Sequence, residues 1–157
     1  IKIPGGVQDG MQLRVSGKGN HAANGGPAGD LIVSIEELPH EDLQRDGKHL
    51  HYELFLSMPD VTLGISVEVP TVSGNVKVGI AAGTQSGKIL RLKGKGLPNL
   101  EGYGTGDLLI HVAVWTPQTI TASDKKAMEA LRKSESFKPN PSKKDKGLFS
   151  RIREMFS

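Results

Sequence analysis

Apolar and polar residues alternate along most of this chain in short runs, and the period is that of a strand rather than of a helix. Ile1-Lys2-Ile3 opens the series, and residues 11–15, 31–35, 51–56, 65–69, 76–80, 89–92 and 108–115 continue it. Each run predicts a β-strand. Pro59, Pro70 and the pair Gly74-Asn75 separate the runs in the middle of the chain. Gly5-Gly6, Gly10, Gly47 and Gly87 stand at predicted strand ends, where turns needing positive φ recur. The period changes only beyond Trp115-Thr116-Pro117. There Thr121 or Ser123 can cap a helix running through Lys125 to Leu131. Further on, Leu148, Phe149, Ile152, Met155 and Phe156 fall on one face of a second helix. Residues 138–146, rich in Pro and Lys, read as the linker between the two. So short a helix is marginal alone. Its apolar face requires cover from this chain, a second copy or another partner.

A shift of 77 residues lays 1–37 on 78–114 without a gap, with 13 of the 37 positions identical. The identities include Gln8/Gln85, Gly10/Gly87, Leu13-Arg14/Leu90-Arg91, Gly17-Lys18-Gly19/Gly94-Lys95-Gly96 and Gly29-Asp30-Leu31/Gly106-Asp107-Leu108. That period is too long for a solenoid unit. It predicts two copies of one small domain, the first lacking its opening strands. The expected fold is mainly β: two tandem small β-sandwich or barrel-like domains at 1–47 and 48–118, then a helical region at 119–157.

Composition narrows the chemistry. With no Cys among 157 residues, disulfide scaffolds, Cys-ligated zinc, iron–sulfur clusters and thiol nucleophiles are excluded. No apolar run approaches the ~18 residues of a membrane span. A net charge of +3 makes no strong case for nucleic acid. Residues 83–88 (GTQSGK) resemble a phosphate loop only superficially: one residue is missing between the glycines, and a strand follows instead of a helix. His49 and His51 share a strand face but gain no third ligand at metal spacing, so no metal site is expected. No catalytic constellation emerges, and the chain reads as a non-enzyme. What remains is a binding scaffold. Leu31, Val33 and Ile35 lie on a strongly β-prone strand that could accept an extended peptide at an edge, or could simply fill the core.

These motifs converge on a known family. The string Pro39-His40, Arg45-Asp46-Gly47 and Leu50, with Val69-Pro70-Thr71, Gly74, Gln85-Ser86-Gly87-Lys88, Arg91, Gly94-Lys95-Gly96 and Gly106-Asp107-Leu108, resembles the C-terminal region of DnaJ-type co-chaperones. Leu43 departs from the usual Phe but keeps an apolar contact. The resemblance implies two β-rich peptide-binding domains followed by a dimerisation element, in a bacterial, cytoplasmic protein. Such proteins hold unfolded clients and pass them to a DnaK-type ATPase. The chain has no His-Pro-Asp tripeptide and no Cys-rich zinc module. It therefore reads as a piece beginning just beyond that module, with no cofactor of its own.

Carried over residue by residue, the likeness places Val33 in the client pocket, with Ile1 and Ile3 on the strand beside another pocket wall. It puts the dimer contact in the region of Met128, Leu131 and Phe137, extended by the amphipathic face of Leu148, Phe149, Ile152 and Phe156. Two rival readings stand beside this one. The first is a nucleic-acid-binding β module using Lys143, Lys144 and Lys146, which predicts affinity falling steeply with salt. The second is a purely structural dimerisation piece.

Overall fold

A computed structural model of the chain describes residues 1–142 and Asp145. Two compact units divide at Thr116/Pro117. The first is all strand apart from one short helix. It contains β1 (Gln12–Val15), β2 (Leu31–Ser34), β3 (Leu43–Asp46), β4 (His49–Ser57), α1 (Met58–Leu63), β5 (Ile65–Thr71), β6 (Gly74–Ile80), β7 (Ile89–Leu92) and β8 (Leu108–Trp115). The second carries α2 (Ala122–Lys133) and a 3-10 turn, Glu135–Phe137.

Three sheets form. β1 and β2 pair antiparallel as a ribbon, β5 and β6 as a hairpin, and the remaining strands make a four-stranded sheet in the order β3-β4-β8-β7. Within it β8 runs parallel to β4 and antiparallel to β7. Even-numbered residues of β4 and β8 turn inward, as a period of two requires. Leu50, Leu54 and Leu56 meet Leu108, Ile110 and Val112 there, with Val69, Val78 and Ile80 of the hairpin closing the core. Leu108 and Ile110 have no exposed surface at all. Every buried side chain among the described residues lies between Leu43 and Val112, and none occurs in residues 1–42.

Most strands stand where the alternation predicts them, with four differences. β3 forms where no run is predicted. Ile1-Lys2-Ile3 forms no strand: it has no neighbouring strand to bond, and alternation alone does not hold a ladder. Pro70 does not end β5 but sits inside it, opposite Asn75 in the hairpin. Such a two-stranded hairpin has an outer edge on each strand, where a missing N–H is tolerated. Pro59 opens α1 instead of merely breaking a strand, because Ser57 caps the helix by accepting from the Asp60 N–H at 3.2 Å and proline suits the first turn. Gly64 then ends it at φ +83°, its N–H reaching the Asp60 carbonyl.

The 77-residue repeat is structural. β1–β2 and β7–β8 share one register, Leu13 facing Val33 as Leu90 faces Ile110. Gly10 donates to the Ile35 carbonyl as Gly87 does to that of Val112, and Gly19 to Gly29 as Gly96 to Gly106. The surroundings differ. In the second copy a Cβ on Gly96 would meet the Lys48 carbonyl oxygen at 2.5 Å, and one on Gly106 would meet it at 1.9 Å. Only glycine lets that turn close on the neighbouring strand.

Equivalent positions therefore differ sharply in what they contribute. Ile110→Ala is expected to lower unfolding free energy by about 2–5 kcal/mol, whereas Val33→Ala, at the matching but half-exposed position, should cost under about 1 kcal/mol. Urea denaturation of both variants checks this, and equal losses would contradict the assigned core.

Candidate peptide-binding ribbon

The β1–β2 ribbon is the one part of the repeat whose apolar face is left open. Leu13 and Val15 on β1 stand directly opposite Val33 and Leu31 on β2, so all four side chains share a face, continued by Met11 and Ile35. Each of the six is half-buried. Leu108, Ile110 and Val112 on β8, the counterparts of Leu31, Val33 and Ile35, are 0%, 0% and 2% exposed, whereas Leu90 and Leu92, the counterparts of Leu13 and Val15, are half-buried like them. The chemistry of the two faces is nearly the same. The difference lies in what covers them: β4 bonds the far edge of β8, whereas β2 pairs with β1 alone. An aliphatic face thus lies beside a row of unpaired backbone groups, which an extended chain could bond as an added strand.

A carboxylate cradle shapes each ribbon at its turn. Asp30 accepts from the Gly17 N–H at 3.1 Å and from Arg14 Nε at 2.5 Å. Asp107 does the same with Gly94 at 2.8 Å and Arg91 Nε at 2.5 Å, while its own N–H donates to His49 Nδ1 at 3.0 Å. Asp107 is buried, and the Gly94 N–H above all, followed by the Arg91 bond, holds its carboxyl below the usual 3.8 despite the opposing effect of burial. Gly17 and Gly94 adopt φ of +71° and +73°, which aims their N–H groups into the cradles.

Arg45, on β3, ties the first copy to the four-stranded sheet. Its guanidinium donates to the Val7 and Gly6 carbonyls at 2.7 and 2.9 Å, to Glu37 at 2.6 Å and to the Gly47 carbonyl at 2.9 Å. Sequence reasoning picked out Arg45 only as part of a motif. Two of the partners, Val7 and Gly6, lie 38 and 39 residues away, beyond any local pattern.

Leu31, Val33 and Ile35 lie together on the ribbon's half-buried face. Ile1 and Ile3 lie in irregular chain, 71% and 53% exposed. Met128 and Leu131 lie on α2, which has no buried residue, and Phe137 closes the 3-10 turn, 42% exposed. Leu148, Phe149, Ile152 and Phe156 lie outside the described residues, as do Lys143, Lys144 and Lys146. No group of three or more His, Asp or Glu among the described residues has metal-binding geometry. None of the described helices is long and apolar enough to cross a membrane.

The fold is thus that of a tandem β protein in which one unit is built twice, once with its covering layer and once without. A family model described as "DnaJ C terminal domain" matches residues 1–117. Similar curated proteins include the "Chaperone protein DnaJ" of Bacteroides fragilis, 51% identical over 156 residues. Those of Salinibacter ruber and Shouchella clausii are 45% and 43% identical. The match takes in 99–100% of this chain but only 39–41% of each relative, so the chain spans about two fifths of their length. The chain belongs to the DnaJ C-terminal domain family.

The Asp107 cradle has a pH signature. Because its folded carboxyl titrates below the usual value, its stabilising effect is complete above about pH 4 and is lost as pH falls through the depressed value. Asp107→Asn should lower Tm at pH 7, and the deficit should shrink as both proteins are acidified below pH ~4. A deficit that stays constant to pH ~2.5 would show that charge plays no part in the cradle.

Proposed function

We propose that this chain is the client-binding and dimerising portion of a DnaJ co-chaperone, acting in the cytoplasm without chemistry or a cofactor of its own. Extended apolar segments of unfolded polypeptides bond the free edge of β2 and lay side chains against Leu31, Val33 and Ile35. The observation that carries this reading is the contrast between copies: the β8 face is completely buried, while the matching β2 face is half-exposed beside an unpaired edge. Backbone pairing supplies sequence-tolerant affinity, and the aliphatic face selects apolar side chains. The relatives' name, together with the family resemblance, supports delivery of clients to a DnaK-type ATPase by the longer protein to which such a chain belongs.

Dimerisation is assigned to the C-terminal unit. A 12-residue helix with no buried residue is marginal in isolation. Met128 and Phe137 are 46% and 42% exposed, and Leu131 lies one turn from Met128. Two tethered copies would raise the effective concentration of weak grooves along one flexible client.

Val33→Asp is expected to weaken binding of an apolar extended peptide by about tenfold or more, because the bound peptide would bury an unpaired carboxylate. Fluorescence anisotropy measures it, and unchanged affinity would remove β2 from the site. In light scattering the chain should show about twice 16.8 kDa, and Met128→Lys with Leu131→Lys should halve that mass. A monomeric parent chain would refute the role given to α2.

A further inference from the structure

We propose a second peptide site, on a different strand edge from the ribbon's: the open edge of β4 beyond β3, which takes an extended segment carrying Lys or Arg beside apolar residues. This site is independent of the β2 reading.

The edge follows from the pairing. β4 runs from His49 to Ser57, but β3 covers only His49 to Tyr52. The chain turns away there because the Asp42 and Leu43 N–H groups both donate to His40 Nδ1, at 3.0 and 3.1 Å. The Leu50 N–H donates to the Asp107 carbonyl at 2.9 Å, so even-numbered residues of β4 turn their backbone groups to β8. Alternation turns those of Glu53 and Phe55 the other way. No strand pairs with either residue on that side among the described residues. Their N–H and C=O groups can bond an added strand in line with β3.

A cleft of about 810 Å³ lies along this stretch, and its lining identifies the occupant. Glu41, Asp42 and Glu53 contribute three carboxylates, and no Lys or Arg lines it. The two imidazoles present, His51 and His111, are bonded to each other at 2.7 Å. Burial, and then the charge of Asp42, push the Tyr52 phenol up from its ordinary value, as a negative, partly enclosed cleft would. Phe55, 56% exposed, stands edge-on to Trp115, 52% exposed, with ring centroids 6.1 Å apart. An acidic cleft on a chain of net charge +3, with an exposed aromatic pair beside it, suits a cationic, partly apolar strand.

The test uses two fluorescein-labelled octapeptides with blocked ends, one alternating Lys with Val and one alternating Glu with Val, and the 157-residue chain at neutral pH. The Lys peptide should bind about tenfold more tightly than the Glu peptide. Glu41→Lys with Glu53→Lys should abolish or reverse that preference while far-UV circular dichroism stays unchanged. The Phe55 amide should exchange more slowly when the Lys peptide is bound, and Val33→Lys should leave the preference intact. Equal affinity for the two peptides, a preference surviving the double substitution, or unaltered exchange at Phe55 would overturn the site. Loss of the preference in Val33→Lys would also overturn it, by assigning the binding to the β2 ribbon.

Discussion

The pairing of β8 with β4 is the contact on which the rest of the first unit depends. It places Leu108, Ile110 and Val112 between two bonded strands and under a hairpin, where none of the three keeps more than 2% of its surface. Each fully buried aliphatic side chain contributes about 1.5–3 kcal/mol relative to leaving it in water. The turn that precedes β8 must pass close to Lys48 to let β8 enter the sheet, and Gly96 and Gly106 make that passage possible. The Asp107 cradle then fixes the turn from within, using one backbone N–H and one guanidinium.

The first copy carries the same turn, cradle and register without that pairing. Asp30 is met by Arg14 and Gly17 as Asp107 is by Arg91 and Gly94. Local interactions are thus sufficient to shape the ribbon, whereas burial requires a layer that the ribbon does not have here. Uncovered apolar surface next to an unpaired edge is a hazard in most proteins and an asset in one that must hold other chains. Membership of the DnaJ C-terminal domain family supports the peptide-binding reading proposed for that face.

Much of the architecture was legible because it is periodic or duplicated. Seven of the eight strand runs are recovered within two residues of their expected ends, β7 and β8 to the residue. The identities between copies marked the Arg, Asp and Gly positions that turn out to form the cradles. Other features left no local signal. β3 has one buried apolar residue, Leu43, in a run of four, too few to show alternation. The His51–His111 bond joins residues 60 apart, brought together by the β4–β8 ladder. Ile1-Lys2-Ile3 shows the opposite case, a strand pattern with no strand, since the pattern records which side chains could share a face and not whether a partner is present.

Sequence by itself determined the strand periodicity, four of the glycines at positive φ (Gly6, Gly10, Gly47 and Gly87, though not Gly5), the duplication and the absence of thiol chemistry, because each is a property of neighbouring residues or of direct comparison between two stretches. Tertiary structure alone decided which copy is core and which is surface. Val33 and Ile110 are nearly interchangeable as letters, yet one is half-exposed and the other entirely buried. Their difference is set by strands dozens of residues away, since burial depends on what packs across a face and not on the residues that compose it.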